Sequence, residues 1–138
     1  MISLVAITPS KLVFNAPALR RAVETALDNI SGDIKSDLEA TTADWHAPPL
    51  WAIVEAPDRR DIVTQDAIFH YQDKGTRAHV IMPRSARRLV FQVPSGVTVF
   101  AKKVNHPGTK PQNFTLKTAL VWQAKVGPVF QAYIGGVV

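Results

Sequence analysis

The sequence contains no cysteine among its 138 residues. This absence excludes disulfide bridges, thiolate zinc sites and a catalytic thiol. No stretch reaches the roughly 18 uninterrupted apolar residues that a membrane-spanning helix requires. The apolar start of the chain is too short for a span and lacks a basic leader and a small-residue cleavage pattern. We therefore expect a soluble protein without a membrane partner and interpret residues 1–8 as a strand.

Acidic residues are missing from the second half of the chain. Residues 1–73 contain eleven acidic and six basic residues, whereas residues 74–138 contain ten basic residues and no carboxylate, so the formal charge changes from −5 to +10. This distribution disfavours metal-dependent and two-carboxylate hydrolases, because a divalent cation needs oxygen ligands from several segments. It predicts two oppositely charged faces, and therefore head-to-tail self-association or an anionic partner. A chance distribution in a small chain is the alternative.

The sequence also lacks the common enzyme motifs, such as the Gly-x-Ser-x-Gly elbow and the glycine-rich phosphate loop. The four histidines, His46, His70, His79 and His106, do not have the spacing of metal ligands. Asp66 can be drawn as an acid–base partner of His70 or His79, but capping of a short helical turn at residues 66–71 is the commoner role for such an aspartate. We expect no catalysis, no metal and no cofactor. A small hydrolase or toxin that uses His70, His79 or His106 is an alternative.

The residue pattern predicts one α+β domain over residues 1–138, with an antiparallel sheet of short strands packed by an N-terminal helix and a C-terminal helix. Apolar residues at three- and four-residue intervals predict the first helix, and short β-branched runs broken by Pro and Gly predict antiparallel hairpins. Gly127-Pro128 is expected to kink or end the second helix. The predicted elements are a strand (1–8), a helix (12–42), a β-rich hairpin region (50–104), a helix (111–126) and an apolar tail (129–138). The strands predicted inside the hairpin region are 50–55, 61–64, 79–82, 89–93 and 97–104.

The uncharged apolar tail needs a surface to cover it. We expect it to pack on this domain or on a neighbouring subunit, because an apolar segment of this length is rarely left in water.

Two similar turns bound a basic segment over residues 71–114. One turn is Gly75-Thr76-Arg77 and the other is Gly108-Thr109-Lys110. Glycine here predicts a positive φ, and threonine predicts side-chain-to-backbone hydrogen bonds. The predicted structural turn residues are Gly75, Thr76, Pro107, Gly108 and Thr109.

The basic residues of this segment are the candidates for contact with a partner protein or with DNA. On alternating strands they would stand on one face, and such a face binds phosphate backbones by counterion release. A solvated or protein-binding face is the alternative, because no helix-turn-helix, zinc finger or aromatic stacking platform is present. The candidates are Lys74, Arg77, Arg84, Arg87, Arg88, Lys102, Lys103 and Lys110.

The order of these motifs resembles the neck and tail-completion (head–tail joining) proteins of tailed bacteriophages. The resemblance extends over residues 12–125 and depends most on the central runs. It is carried by TTxxW at residues 41–45, DAIFxYxDxGTRxHxIxP at 66–83, LxF at 89–91 and KxVxHPGTKP at 102–111. The apolar residues 129–138 depart from the charged helical end that the family would suggest.

The resemblance implies a non-enzymatic virion protein, made in the bacterial host cytoplasm and located at the neck or at the top of the tail. Such subunits form six- or twelve-fold rings that join head to tail and line the DNA passage. The implied partners are other copies of the chain, portal or adaptor proteins, tail-tube or other neck proteins, and double-stranded DNA bound without sequence specificity. A sequence-nonspecific nucleic-acid-binding protein is the main alternative.

Overall fold

The computed structural model describes residues 1–6 and 16–135. Residues 12–15, the predicted beginning of the first helix, lie outside the described residues. The predicted α+β class is confirmed, with short antiparallel strands and with helices towards both ends. The chain forms two compact units: unit 1 contains Met1–Phe69 and Asn113–Val138, and unit 2 contains His70–Gln112. That these units belong to one domain stays a prediction.

Ten helices and strands lie in the described part of the chain. The prediction of one strand over residues 97–104 is wrong, because this segment contains one strand that ends at Ala101 and another that begins at Val104. In chain order the elements are β1 (Ile2–Val5), α1 (Ala16–Thr41), β2 (Trp51–Ala56), β3 (Arg59–Thr64), α2 (Ala67–Lys74), β4 (His79–Ile81), β5 (Leu89–Gln92), β6 (Thr98–Ala101), β7 (Val104–His106) and α3 (Phe114–Ile134).

The core of unit 1 lies between α1, α3 and a three-stranded antiparallel sheet of order β1-β3-β2. Ile62 of the central strand is fully buried and pairs with Ile2 on one side and Ile53 on the other. The apolar positions of α1 recur at helical spacing, so that Ile30 and Leu38 both face this core. Full burial of each such aliphatic side chain contributes about 1.5–3 kcal/mol.

An aromatic cluster extends this core. Phe69 is almost completely buried, and its ring meets Trp51 edge-on at 4.9 Å between centroids and stacks with Phe114 at 5.8 Å. The Asp66 side chain accepts the Phe69 N–H at 2.7 Å. Asp66 therefore caps α2, as the sequence predicts for that residue, and this cap fixes the backbone that holds Phe69 in the core.

Two polar contacts tie α1 to the rest of unit 1. The indole N–H of Trp122 in α3 donates to Asp37 Oδ2 at 2.7 Å. The buried guanidinium of Arg60 in β3 donates to Asp28 Oδ1 at 2.8 Å and to the carbonyl of Ala56 at 2.9 Å. These hydrogen bonds offset the free-energy cost of burying the indole N–H and the guanidinium.

The predicted end of the second helix at residue 126 is wrong, because α3 continues through Gly127 and Pro128 to Ile134. Proline removes one intrahelical hydrogen bond and usually costs about 3 kcal/mol inside a helix. The packing of Val129 and Phe130 against the core of unit 1 offsets part of that cost. No helix in the described part of the chain has the length and apolar character to cross a membrane.

Candidate interaction site

Unit 2 is built from two antiparallel strand pairs, one inside the other along the sequence. Strand β4 pairs with β7, and β5 pairs with β6 within that outer pair. Outside both pairs, Thr76 and Thr109 form an isolated antiparallel bridge. Residues 76–109 therefore form one interrupted antiparallel ribbon, which we call the ribbon.

The interruption explains why the predicted strand 97–104 is wrong. Between the two strand pairs, residues 82–88 on one side of the ribbon lie opposite only residues 102–103 on the other. Seven residues cannot pair one to one with two residues in a β-ladder, so the strand ends at Ala101 and the next strand begins at Val104. Pro83, which has no N–H, stands at the beginning of the longer connection.

The two Gly-Thr turns meet at the base of the ribbon. The Thr76 N–H donates to the Thr109 carbonyl at 3.0 Å, and the Thr109 N–H donates to the Thr76 carbonyl at 3.1 Å. The Thr109 N–H also lies 3.0 Å from the Thr76 hydroxyl oxygen. We call this arrangement of Gly75, Thr76, Gly108 and Thr109 the clasp.

The predicted positive φ of both clasp glycines is confirmed, with φ of 75° at Gly75 and 86° at Gly108. Each glycine also packs against the opposite backbone. A Cβ atom at Gly75 would lie within 3.0 Å of the Thr109 carbonyl oxygen, and one at Gly108 within 3.0 Å of the Thr76 carbonyl oxygen. Both positions therefore require glycine for two reasons, the backbone conformation and the close approach.

Two of the four histidines support the clasp. His79 and His106 are register partners in β4 and β7, and their rings stack with centroids 4.9 Å apart. His79 Nδ1 lies 2.8 Å from the Arg77 carbonyl, to which it donates, whereas His106 Nδ1 accepts the Gly108 N–H at 3.0 Å. One nitrogen of each ring is thus committed to the backbone, which matches the scaffold role that the turn motif suggests. Among the described residues, no group of three His, Asp or Glu side chains could hold a metal ion.

The eight candidate basic residues are all exposed, but none lies in a paired strand. The prediction of one cationic strand face is therefore wrong. Seven of these cations occupy connections and Lys74 ends a helix, so the side-chain alternation of a ladder does not apply to them. Lys74 ends α2, Arg77 and Lys110 flank the clasp, and the rest lie in the unequal connections: Arg84, Arg87, Arg88, Lys102 and Lys103.

Unit 2 is strongly basic, with eight Lys and Arg residues against one acidic residue, Asp73. Lys74 Nζ lies 3.8 Å from the Asp73 carboxylate. The other seven basic residues make no ion pair with any described residue. Exposed cations without carboxylate partners leave a positive field that an anionic surface would complement.

The end of the ribbon has the opposite character, and sequence reasoning missed it. Residues 89–101, which we call the tip, contain no charged residue, although Arg87-Arg88 and Lys102-Lys103 stand directly on either side. Val90 and Phe100 are register partners, and each is 61% exposed. The signal in the sequence was the abrupt uncharged stretch between two pairs of basic residues.

Comparison with known proteins gives no identification. The chain matched no protein-family model, no curated protein and no solved structure.

Proposed function

We propose that this chain is a virion structural protein of a tailed bacteriophage. It acts as a ring-forming neck, head–tail connector or tail-completion subunit, joining head to tail around the DNA passage. It uses no cofactor and catalyses no reaction. Its place is the neck or the top of the tail, in contact with portal or adaptor proteins on one side and with tail-tube or other neck proteins on the other.

The observation that carries this proposal is the clasp. The two motif pieces that give the resemblance contain Thr76 and Thr109, which are 33 positions apart in the chain. In the fold they are hydrogen-bonded to each other, and the glycine of each turn packs against the backbone of the other turn. Motifs that matched by coincidence would have no reason to form one structural unit, so this arrangement supports the resemblance.

The charge distribution supports a ring. A closed ring with one kind of subunit joins one surface of each copy to a different surface of the next. Unit 2 carries eight basic residues and one acidic residue, whereas the sequence of unit 1 carries ten acidic and eight basic residues. Oppositely charged units favour head-to-tail contact over contact between like surfaces.

The seven unpaired cations favour one second candidate, a sequence-nonspecific nucleic-acid-binding protein. Phosphate contacts of this kind make affinity fall steeply with salt. In that case a monomer or dimer would bind duplex DNA. The quadruple variant R87Q/R88Q/K102Q/K103Q would weaken binding to all DNA sequences alike, and the slope of log affinity against log salt concentration would decrease in magnitude by about 4. If the chain is a ring subunit that only surrounds DNA, we expect weak DNA binding and little change in that slope in the quadruple variant.

Native mass spectrometry and negative-stain microscopy of the purified full chain test the proposal. We expect closed annuli containing six or twelve copies, formed by the protein alone or on addition of purified tails. A strictly monomeric species under both conditions would contradict the proposal. A monomer or dimer that binds DNA with a steep salt slope would favour the second candidate.

A further inference from the structure

The ribbon tip is an apolar surface without cover. No residue from Lys74 to Phe114 is buried, so the ribbon has no core of its own among the described residues. An isolated two-stranded hairpin is marginally stable in water. A ribbon with this composition needs a second surface to pack against.

Apolar side chains stand on both faces of the tip. Successive residues of a strand alternate between faces, so the pair Val90 and Phe100 lies on one face and the pair Phe91 and Val99 lies on the other. Both Val90 and Phe100 are largely exposed, and Phe91 is 38% exposed. A hairpin that only covers its own domain needs one apolar face, whereas a hairpin held within a partner can use two.

Four cations surround the base of the tip. Arg88 directly precedes and Lys102 directly follows the register pair Leu89 and Ala101, with Arg87 and Lys103 one position further out. We call these four residues the collar. An apolar centre with a charged rim is the usual composition of a protein interface.

Unit 1 carries carboxylates that could face such a collar. Glu24 and Asp33 of α1 are exposed and form no ion pair with any described residue. Asp28, on the same helix, is 55% exposed on its side chain although it contacts Arg60. Unit 2 offers the collar no carboxylate except Asp73, which lies beside Lys74.

We infer that the ribbon tip of one copy docks on unit 1 of the next copy, with the collar against the carboxylates of α1. The inference rests on the proposed function, because it assigns the contact that joins neighbouring subunits of the ring. Charge complementarity selects the occupant: a second copy supplies both these exposed carboxylates and the repeated geometry that a ring requires. DNA is disfavoured at the tip, because the tip has no cation to meet a phosphate.

Photocrosslinking from the tip tests this contact directly. The native chain has no cysteine, so F100C carries a single thiol that can be labelled with a maleimide benzophenone. Leu50 of unit 1 is 89% exposed, and L50C labelled in the same way is the matched control. Crosslinking of a mixture of ¹⁴N and ¹⁵N chains, followed by peptide mass spectrometry, separates contacts between copies from contacts within one copy. Ring formation by unlabelled protein is measured in the same buffer.

We expect labelled F100C to give mixed-isotope crosslinks to unit 1 peptides of another copy, including peptides of α1. Crosslinks confined to the same chain, to another ribbon, to added DNA or to anionic lipid vesicles would overturn the inference. Rings that form without any crosslink from the tip would overturn it while leaving the proposed function intact. An unlabelled protein that forms no ring contradicts the proposed function and the inference together.

A pair of charge variants gives an independent readout. V90D/F100D places two carboxylates on the exposed face of the tip, where no buried residue is disturbed, and should weaken self-association at least about tenfold. L50D makes one apolar-to-aspartate change outside the ribbon and should leave self-association unchanged. Equal effects of the two variants, with far-UV circular dichroism unaltered, would overturn the docking contact.

Discussion

Replacement of Gly108 by alanine should open the clasp locally. With φ of 86°, alanine at this position lies in the left-handed region and costs about 1–2 kcal/mol. The added Cβ would also collide with the Thr76 carbonyl oxygen and approach the Arg77 backbone within 3.0 Å. Backbone movement that relieves this contact weakens two reciprocal hydrogen bonds, each contributing about 0.5–1.5 kcal/mol. We therefore expect Gly108→Ala to lower the free energy of clasp opening by about 2–5 kcal/mol.

The chain offers a matched control in Gly96. Its φ is 83°, close to that of Gly108, but nothing lies within 4 Å of a Cβ atom placed there. Gly96→Ala should therefore cost only the conformational part, about 1–2 kcal/mol, and only in the turn of the tip. Comparison of the two variants isolates the effect of close packing in the clasp.

Amide hydrogen exchange measured by NMR gives the required local free energy. The informative amides are those of Thr76 and Thr109, because both donate within the clasp. We expect their protection to fall by at least about thirtyfold in Gly108→Ala, since each 1.4 kcal/mol corresponds to a factor of ten, and to be unchanged in Gly96→Ala. Equal protection in both variants would refute the clasp as a packed, glycine-dependent unit.

Three further predictions concern unit 1 and are measured by urea unfolding. Phe69→Ala should destabilise the protein by about 3–5 kcal/mol because the ring is buried in the aromatic cluster, whereas the exposed Phe100→Ala should cost under about 1 kcal/mol; similar losses would contradict the assigned core. Trp122→Phe removes the hydrogen bond to Asp37 and should lower the free energy of unfolding by about 1.5–3 kcal/mol. An unchanged free energy of unfolding would show that this bond does not stabilise the fold. Arg60→Gln should cost about 2–4 kcal/mol, because the buried guanidinium loses its ion pair with the half-exposed Asp28 and two bonds to carbonyls; a change below about 1 kcal/mol would contradict this.

The sequence predicts local conformations more reliably than long-range pairing. Turn chemistry alone predicts the positive φ at Gly75 and Gly108, because few other residues tolerate it. Helical spacing predicts α1, and Asp66 is recognisable as a cap. Nothing local in either Gly-Thr turn indicates that Thr76 and Thr109 are hydrogen-bonded partners, because that pairing depends on the intervening ribbon.

The wrong predictions have physical causes in tertiary structure. Pro128 is a strong local signal for the end of a helix, but α3 continues through it, and packing of Val129 and Phe130 on the core of unit 1 offsets part of its cost. β-Branched composition predicts one strand over residues 97–104, but the unequal connection at Lys102-Lys103 breaks the ladder. Lys102 and Lys103 were placed on a strand face by that error, whereas the other candidate cations lay outside the predicted strands from the beginning.

The most direct test of the central claim is the position of the chain in a virion. Purified particles from cells that produce this protein should be analysed by mass spectrometry and by cryo-electron microscopy with symmetry imposed only after classification. We expect the chain to be present at six or twelve copies per particle, in a ring between head and tail. Particles with intact head–tail junctions that lack the chain would contradict it.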